Sequence, residues 1–296
     1  MPIDRTRARE TPRSEPPDSP EALPGPDAPD IRQGQLAEHA RYRDTVDAAY
    51  QAATRDAWAR AVPELRAVWE DHKQRYPERS RAAPRTQPDG SWVADGQRRL
   101  TPEQNAEASK TCAHLRYEAD QVILPAMRRV EGADPNRQLA SLDRMLKGED
   151  RLKEKIAGAM QVPGVTVKEA LDMMPDAVRF TLKYDSRHYA DGVLADVERL
   201  KSEGFELIKL KNLWDGDQYK GINSQWRRLE TGLRFELQFH TPESLEAKEL
   251  KHEAYTRMRS KTEPDTELPE LEEFQRRANS LLVRPPGTDR IKDFPD

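Results

Sequence analysis

The hydrophobic period of this chain changes near residue 177, and that change limits the fold more than any other feature. "AVRFTLKY" (177–184) alternates, with Val178, Phe180, Leu182 and Tyr184 on one face and Arg179, Thr181 and Lys183 on the other. A period of two is the mark of a half-buried strand. Next comes a helical stripe of Tyr189, Val193, Val197 and Leu200, closed by Gly204. "FELIKLKNL" (205–213), "KGINSQWRR" and "LRFELQFH" read as further strands, followed by a helix from about Pro242 to Arg259 and a weaker helical stretch beyond Pro269. This order predicts an α+β fold: a mixed β-sheet of about four to five strands flanked by helices and preceded by N-terminal helices.

Upstream of residue 177 the signals are helical or irregular. Residues 1–30 hold eight of the 23 prolines among charged and small residues, and residues 1–32 are expected to form a disordered tail. From about Gln33 to Tyr76 apolar residues recur every three or four positions, with a break or kink expected at Pro63. Residues 77–100 read as a linker or long loop, so 33–100 is taken as a helical N-terminal region plus linker. "TPEQ" (101–104) carries the elements of a capping box and starts a helix that runs to about Val130. One or two more helices are expected between Asp134 and Met160. The main domain is placed at 101–282, with a C-terminal tail over 283–296.

Composition narrows the function classes. Charged residues make up 34% of the chain and the formal net charge is −4, so no global field attracts nucleic acid or an acidic membrane. A single cysteine, Cys112, excludes an internal disulfide and a cysteine-based metal site. No run of 18 apolar residues is present, so no membrane span is expected, and no apolar h-region of a signal peptide is visible. These features predict a cytoplasmic protein, or one delivered into a target cell by a specialised secretion system.

Four stretches place polar residues where a bland domain does not need them. "LKGEDRLKEKI" (146–156) carries Lys147, Arg151 and Lys155 at successive steps of four, on one helical face. Such a face binds an anion or is simply solvated beside Glu149, Asp150 and Glu154. Asp176 stands at the mouth of a strand with Arg179, a position that suits a metal ligand or a turn. "KLKNLWDGDQYKGIN" (209–223) sets Lys209 and Lys211 on one strand face ahead of Tyr219, which can stack on a base or pack. In "LRFELQFH" the face opposite Phe235, Leu237 and Phe239 presents Arg234, Glu236, Gln238 and His240. The helix after it lines up Ser244, Lys248, His252, Tyr255 and Arg259. Two carboxylates, several cations and an aromatic ring suit phosphoryl chemistry with a divalent ion, Mg²⁺ above all. No G-x-x-x-x-G-K-[ST] loop and no H-E-x-x-H occurs.

On these residues, the stretch from about 141 to 260 resembles the synthetase domain of the RelA/SpoT homologue family, a nucleotidyltransferase-like fold. "FELQFHT" resembles its E-x-Q-x-R-T strand, with His240 replacing arginine, and "YKGIN" resembles Y-x-S-x-H, with Asn223 replacing histidine. Lys211-Asn212 resembles the K-D pair. Lys147 and Lys155 fall on the lysines of R-x-K-x₃-S-x₃-K, where Met145 and Arg151 replace arginine and serine. Asp176 matches the first residue of D-x-x-G-x-R, with Arg179 and Thr181 replacing the last two. His252 and Tyr255 resemble the H…Y helix.

The resemblance implies transfer of the β,γ-pyrophosphate of ATP to the 3′-hydroxyl of a purine nucleotide. Glu236 and Asp176 would be catalytic and hold Mg²⁺. Lys147, Arg151, Lys155, Arg179, Lys209 and Lys211 would bind ATP; Tyr219, Asn223, Gln238, His240, His252 and Lys248 would bind the acceptor. None of the six histidines is followed by Asp, so the His-Asp motif of the family's hydrolases is absent. An unopposed synthetase drains ATP, which points to a toxin, an effector or an enzyme controlled by a partner, such as an antitoxin or immunity protein. Transfer to the 3′ end of tRNA ranks lower, because residues 141–260 hold 21 Lys+Arg against 21 Asp+Glu. A non-catalytic nucleotide-binding adaptor is the remaining alternative, and a mere binder has no use for a proton acceptor.

Overall fold

Strand β8 (Arg234–His240) shows why the alternation matters: Phe235, Leu237 and Phe239 have no exposed surface, and the residues between them form a second, polar face. The computed structural model describes residues 28–77, 82–94, 98–260 and 266–295. Residues 1–27 of the expected proline-rich tail lie outside them. The chain divides into two compact units, Met1–Val46 and Asp47–Asp296. In the first, the described residues belong to helix α1 (Ala28–Arg75); Tyr42 and Val46 are exposed, and Thr45 donates to the Arg41 carbonyl at 2.8 Å.

The second unit contains a five-stranded mixed sheet in the order β4-β5-β8-β7-β6. Its strands are β4 (Arg137–Ala140), β5 (Arg179–Tyr184), β6 (Phe205–Asn212), β7 (Ile222–Arg228) and β8. Only β5 and β8 run parallel, with Arg179 opposite Glu236 and Thr181 opposite Gln238. Helix α6 (Ser186–Ser202), which leads out of β5, lays Tyr189, Val193, Val197 and Leu200 on the apolar face of the sheet, as the stripe predicts. That face meets Val178, Phe180, Leu182 and Tyr184, all buried. Each such side chain contributes about 1.5–3 kcal/mol. Helices α2 (Pro102–Glu118) and α3 (Leu124–Gly132), joined by one π-helical turn, add to the same core; Thr101 and Gln104 form the expected capping box at the start of α2.

The polar face is crossed by α7 (Pro242–Ser260). Helix α8 (Leu268–Ser280) and the second half of α1 pack against α7 in a separate apolar cluster built from Trp58, Leu65, Trp69, Ala254, Leu271 and Phe274. Two shorter helices, α4 (Glu149–Ala159) and α5 (Val167–Asp172), precede β5.

Three expectations are corrected. Helix α1 runs through Pro63 unbroken. Both Pro63 and Ala59 are exposed, so water can serve the carbonyl that proline leaves without a donor. The expected linker contains a small antiparallel sheet, β1 (Arg85–Thr86), β2 (Trp92–Val93) and β3 (Arg99–Leu100), which sinks Trp92 and Leu100 into the main core. The segment after Asp134 begins with strand β4 and not with a helix. The C-terminal residues also have fixed partners, since Phe294 exchanges backbone hydrogen bonds with Leu210 at 2.7 and 2.9 Å.

Candidate active site

Asp176 lies in a 3₁₀ turn (Pro175–Ala177) that feeds directly into β5. The segment Met145–Lys147 runs beside it: the Lys147 amide donates to the Ala177 carbonyl at 3.1 Å and the Arg179 amide to the Met145 carbonyl at 2.6 Å. That pairing, rather than a helical face, delivers Lys147. Its Nζ stands 2.8 Å from Asp176 Oδ2 and 2.6 Å from the Asp176 carbonyl. Lys155 reaches the same carboxylate from α4, with Nζ 3.1 Å from both oxygens. Burial alone would raise the Asp176 pKa. The two ammonium groups overcome it and hold the carboxylate down to about 2. Burial in turn lowers the Lys147 pKa, against the pull of Asp176.

Glu236 enters from β8, its amide bonded to the Val178 carbonyl at 2.9 Å, and its side chain is 8% exposed. Arg179 joins the two carboxylates. Its Nε donates to Glu236 Oε1 at 2.6 Å, while Nη2 lies 3.6 Å from Asp176 Oδ2. Asp176 and Glu236, predicted from separate segments, therefore converge on one guanidinium. Gln238 donates to Glu236 Oε1 at 2.5 Å and accepts from the Lys248 ammonium with its own oxygen. A continuous polar chain thus runs from Lys147 and Lys155 through Asp176, Arg179, Glu236 and Gln238 to Lys248 on α7.

Positive charge dominates the α7 side. Burial, with Arg179 next in effect, brings the Lys248 pKa down to about 8. His252, one turn further on, is also lowered: burial acts first, then the charges of Arg144, Arg179, Lys248 and Lys147. Arg144 is a member of this cluster that the sequence reading does not single out. It stands one residue before the Met145 that occupies the arginine place of R-x-K, and allowing that shift of one would have found it.

Tyr219 and His240 form a pair. Their rings meet edge to face at 5.3 Å, and the Tyr219 hydroxyl lies 2.7 Å from His240 Nε2. The other ring nitrogen is 2.9 Å from Ser244 Oγ. Burial drives the His240 pKa well below its ordinary value, helped by Lys248 and Lys251, so the ring is neutral and must donate at one nitrogen and accept at the other. Gly221 makes the arrangement possible: at φ +152° a Cβ there would sit 2.9 Å from the Phe239 carbonyl and 3.0 Å from the His240 ring.

Several predicted positions are placed differently. His240 has no exposed surface and supports Tyr219 from beneath. Arg151 turns away to Glu154, which also receives Arg98. Lys209 and Lys211 share the polar sheet face through their register with Gln225 and Asn223, but sit on edge strand β6, three strands from β5, or roughly 14 Å. Lys211 is paired with Asp293 at 2.7 Å. Asn223 lies opposite Gln238, half-buried, on the same face. A cavity of about 300 Å³, lined by Arg129, Glu203, Phe205 and Arg228 among others, contains none of these residues. Arg129 and Glu203 in its wall already neutralise each other.

No family model and no curated protein matches the sequence. Among solved structures, the chain is similar to small alarmone synthetase 1 from Bacillus subtilis, at 16% identity over 60% of this chain and 91% of that one, with a TM-score of 0.38. The same synthetase bound to its product pppGpp gives 16% identity, coverage of 63% and 95%, and a TM-score of 0.41. A GTP pyrophosphokinase family protein from Streptococcus pneumoniae gives 15%, coverage of 62% and 90%, and 0.38. The chemistry that this α+β chain offers lies in the side chains that meet at Asp176 and Glu236.

Proposed function

We propose that the protein is an ATP-dependent pyrophosphokinase that transfers the β,γ-pyrophosphate of ATP to the 3′-hydroxyl of a purine nucleotide. The observation that carries the reading is Arg179 held between Asp176 and Glu236, with Lys147 and Lys155 on the far side of Asp176. Three cations meet two carboxylates there. The cations match the charge of a polyphosphate, and the carboxylates match a hydroxyl proton and a hard metal ion.

The donor set fits Mg²⁺, which typically takes one or two protein carboxylates and leaves its other positions to water and phosphate. Bound between Asp176 and Glu236, Mg²⁺ would neutralise charge on the triphosphate. The rest of the chemistry falls to the chain. Lys147, Lys155 and Arg179 exchange their carboxylate partners for phosphate oxygens when ATP enters. Lys248 and His252 face the acceptor from α7, and the Tyr219 ring, fixed by His240, offers it a stacking surface. Glu236, oriented by Gln238, accepts the 3′-hydroxyl proton as the oxygen attacks the β-phosphorus. The bond from that phosphorus to the α-phosphate oxygen breaks, and AMP leaves.

The test is AMP release by purified protein with Mg²⁺, ATP and each purine nucleotide in turn. Glu236→Gln, which keeps an acceptor for Arg179 and Gln238, should lose at least about 100-fold in rate at unchanged circular dichroism. No AMP with any acceptor would overturn the proposal. The finer reading, a toxin or effector held by an antitoxin or immunity protein, is supported by the sequence resemblance. It predicts growth arrest on expression, relieved by the same substitution.

A further inference from the structure

The loop between β6 and β7 carries Tyr219 and has no regular structure of its own, yet its backbone is pinned at three carbonyls. Lys220 donates to the Trp214 carbonyl at 2.8 Å, closing the loop on itself. Lys251 of α7 donates to the Gln218 carbonyl at 3.3 Å, and Asn279 of α8 donates to the Asp217 carbonyl. The two outside groups are bonded to each other, Lys251 Nζ to Asn279 Oδ1, and Gln275 of α8 donates to the Lys251 carbonyl at 3.1 Å. Both are buried, at 4% and 1% exposure.

An ammonium in this place is costly. Among the described residues Lys251 makes no ion pair, and burial pulls its pKa down to about 7, with the charge of Lys220 adding to the effect. Packing alone would be served better by methionine. What the lysine does, and an apolar side chain cannot, is hold the carbonyl next to Tyr219.

We propose that Lys251 and Asn279 are positioning residues that lock the Tyr219 loop, so that α8 sets the affinity for the acceptor. This rests on the reading of Tyr219 as the acceptor's stacking surface. The geometry separates the two substrates. The residues proposed to hold ATP phosphates lie on β5, α4 and the segment before α4, and none of them touches the clamp. Loosening the loop should therefore weaken one substrate and spare the other.

The experiment compares wild type with Lys251→Met, Asn279→Ala and the double variant, by steady-state kinetics and by amide hydrogen exchange across residues 213–221. The acceptor KM should rise about tenfold in each single variant, with the KM for ATP within about twofold of wild type. The double variant should be no worse than the poorer single one, because the two side chains act through one another. Lys251→Arg should recover part of the loss. Exchange in the loop should quicken while that of β5 and β8 is unchanged. Unaltered loop exchange overturns the clamp. Quickened exchange with an unmoved acceptor KM, or an equal rise in both KM values, overturns its role in acceptor binding. Should wild type release no AMP with any acceptor, the pyrophosphokinase reading fails, and loop exchange still decides whether the clamp exists.

Discussion

Asp176 is held by two ammonium groups and lies within reach of a guanidinium, so its ionisation should show in stability as well as chemistry. Its folded pKa of about 2 lies below the ordinary 3.8. The stabilisation is therefore complete above about pH 4 and disappears as pH falls through 2. Asp176→Asn should lower the urea midpoint at pH 6, and the gap from wild type should close as the pH is taken toward 2. A gap that persists at pH 2 would mean the carboxylate charge is not what Lys147 and Lys155 respond to. Legibility at this scale depends on where a residue finds its partner. Asp176 and Glu236 could be picked out because each begins or interrupts a strand with a carboxylate. The i,i+4 spacing of Arg151 from Lys155 does not show which way its side chain turns, and it pairs with Glu154. The burial of His240 was hidden for a similar reason: alternation assigns it to the polar face but does not show that Tyr219 and Ser244 cover it.

At the scale of elements, α6 approaches β5 closely enough that its midpoint has no room for a side chain. A Cβ on Gly192 would lie 2.3 Å from Tyr184 Cε1, and the Tyr184 ring is 1% exposed. Gly192→Ala should therefore destabilise the fold by about 1–3 kcal/mol in chemical denaturation, despite alanine's better helix propensity. A stabilised variant would show that Tyr184 can move. The elements legible in the sequence were those with a sustained period: β5, α6 and β8 showed it in their apolar residues, and α7 in its polar stripe from Ser244 to Arg259. β4 was not, because four residues (Arg137–Ala140) offer too short an alternation and one of its two buried positions is an arginine. That Arg137 is paired with Asp196 of α6, a contact no local pattern announces. The small sheet of β1, β2 and β3 escaped for the same reason. Its strands are two residues each, and Trp92 owes its burial to the main core and to Asp150 of α4.

The second unit has two apolar clusters, and the smaller one braces α7 from behind while the polar sheet face receives it from in front. Trp69 of α1 stacks on Phe274 of α8 at 5.3 Å and donates to Glu253 of α7 at 3.2 Å. Trp69→Ala should cost about 3–5 kcal/mol. Because α7 carries Lys248 and His252, AMP release should fall at temperatures where the sheet still holds. Loss of stability with full residual activity would separate the brace from the site. The order of the sheet has a further consequence, which concerns synthesis. Asp176 and Glu236 are parted in the chain by β5, α6, β6 and β7, and they become neighbours only when β8 slots between β5 and β7. In a nascent chain the two carboxylates therefore cannot meet until the last strand of the sheet has emerged. Termination ahead of residue 234 would yield a fragment that keeps Asp176 and lacks Glu236.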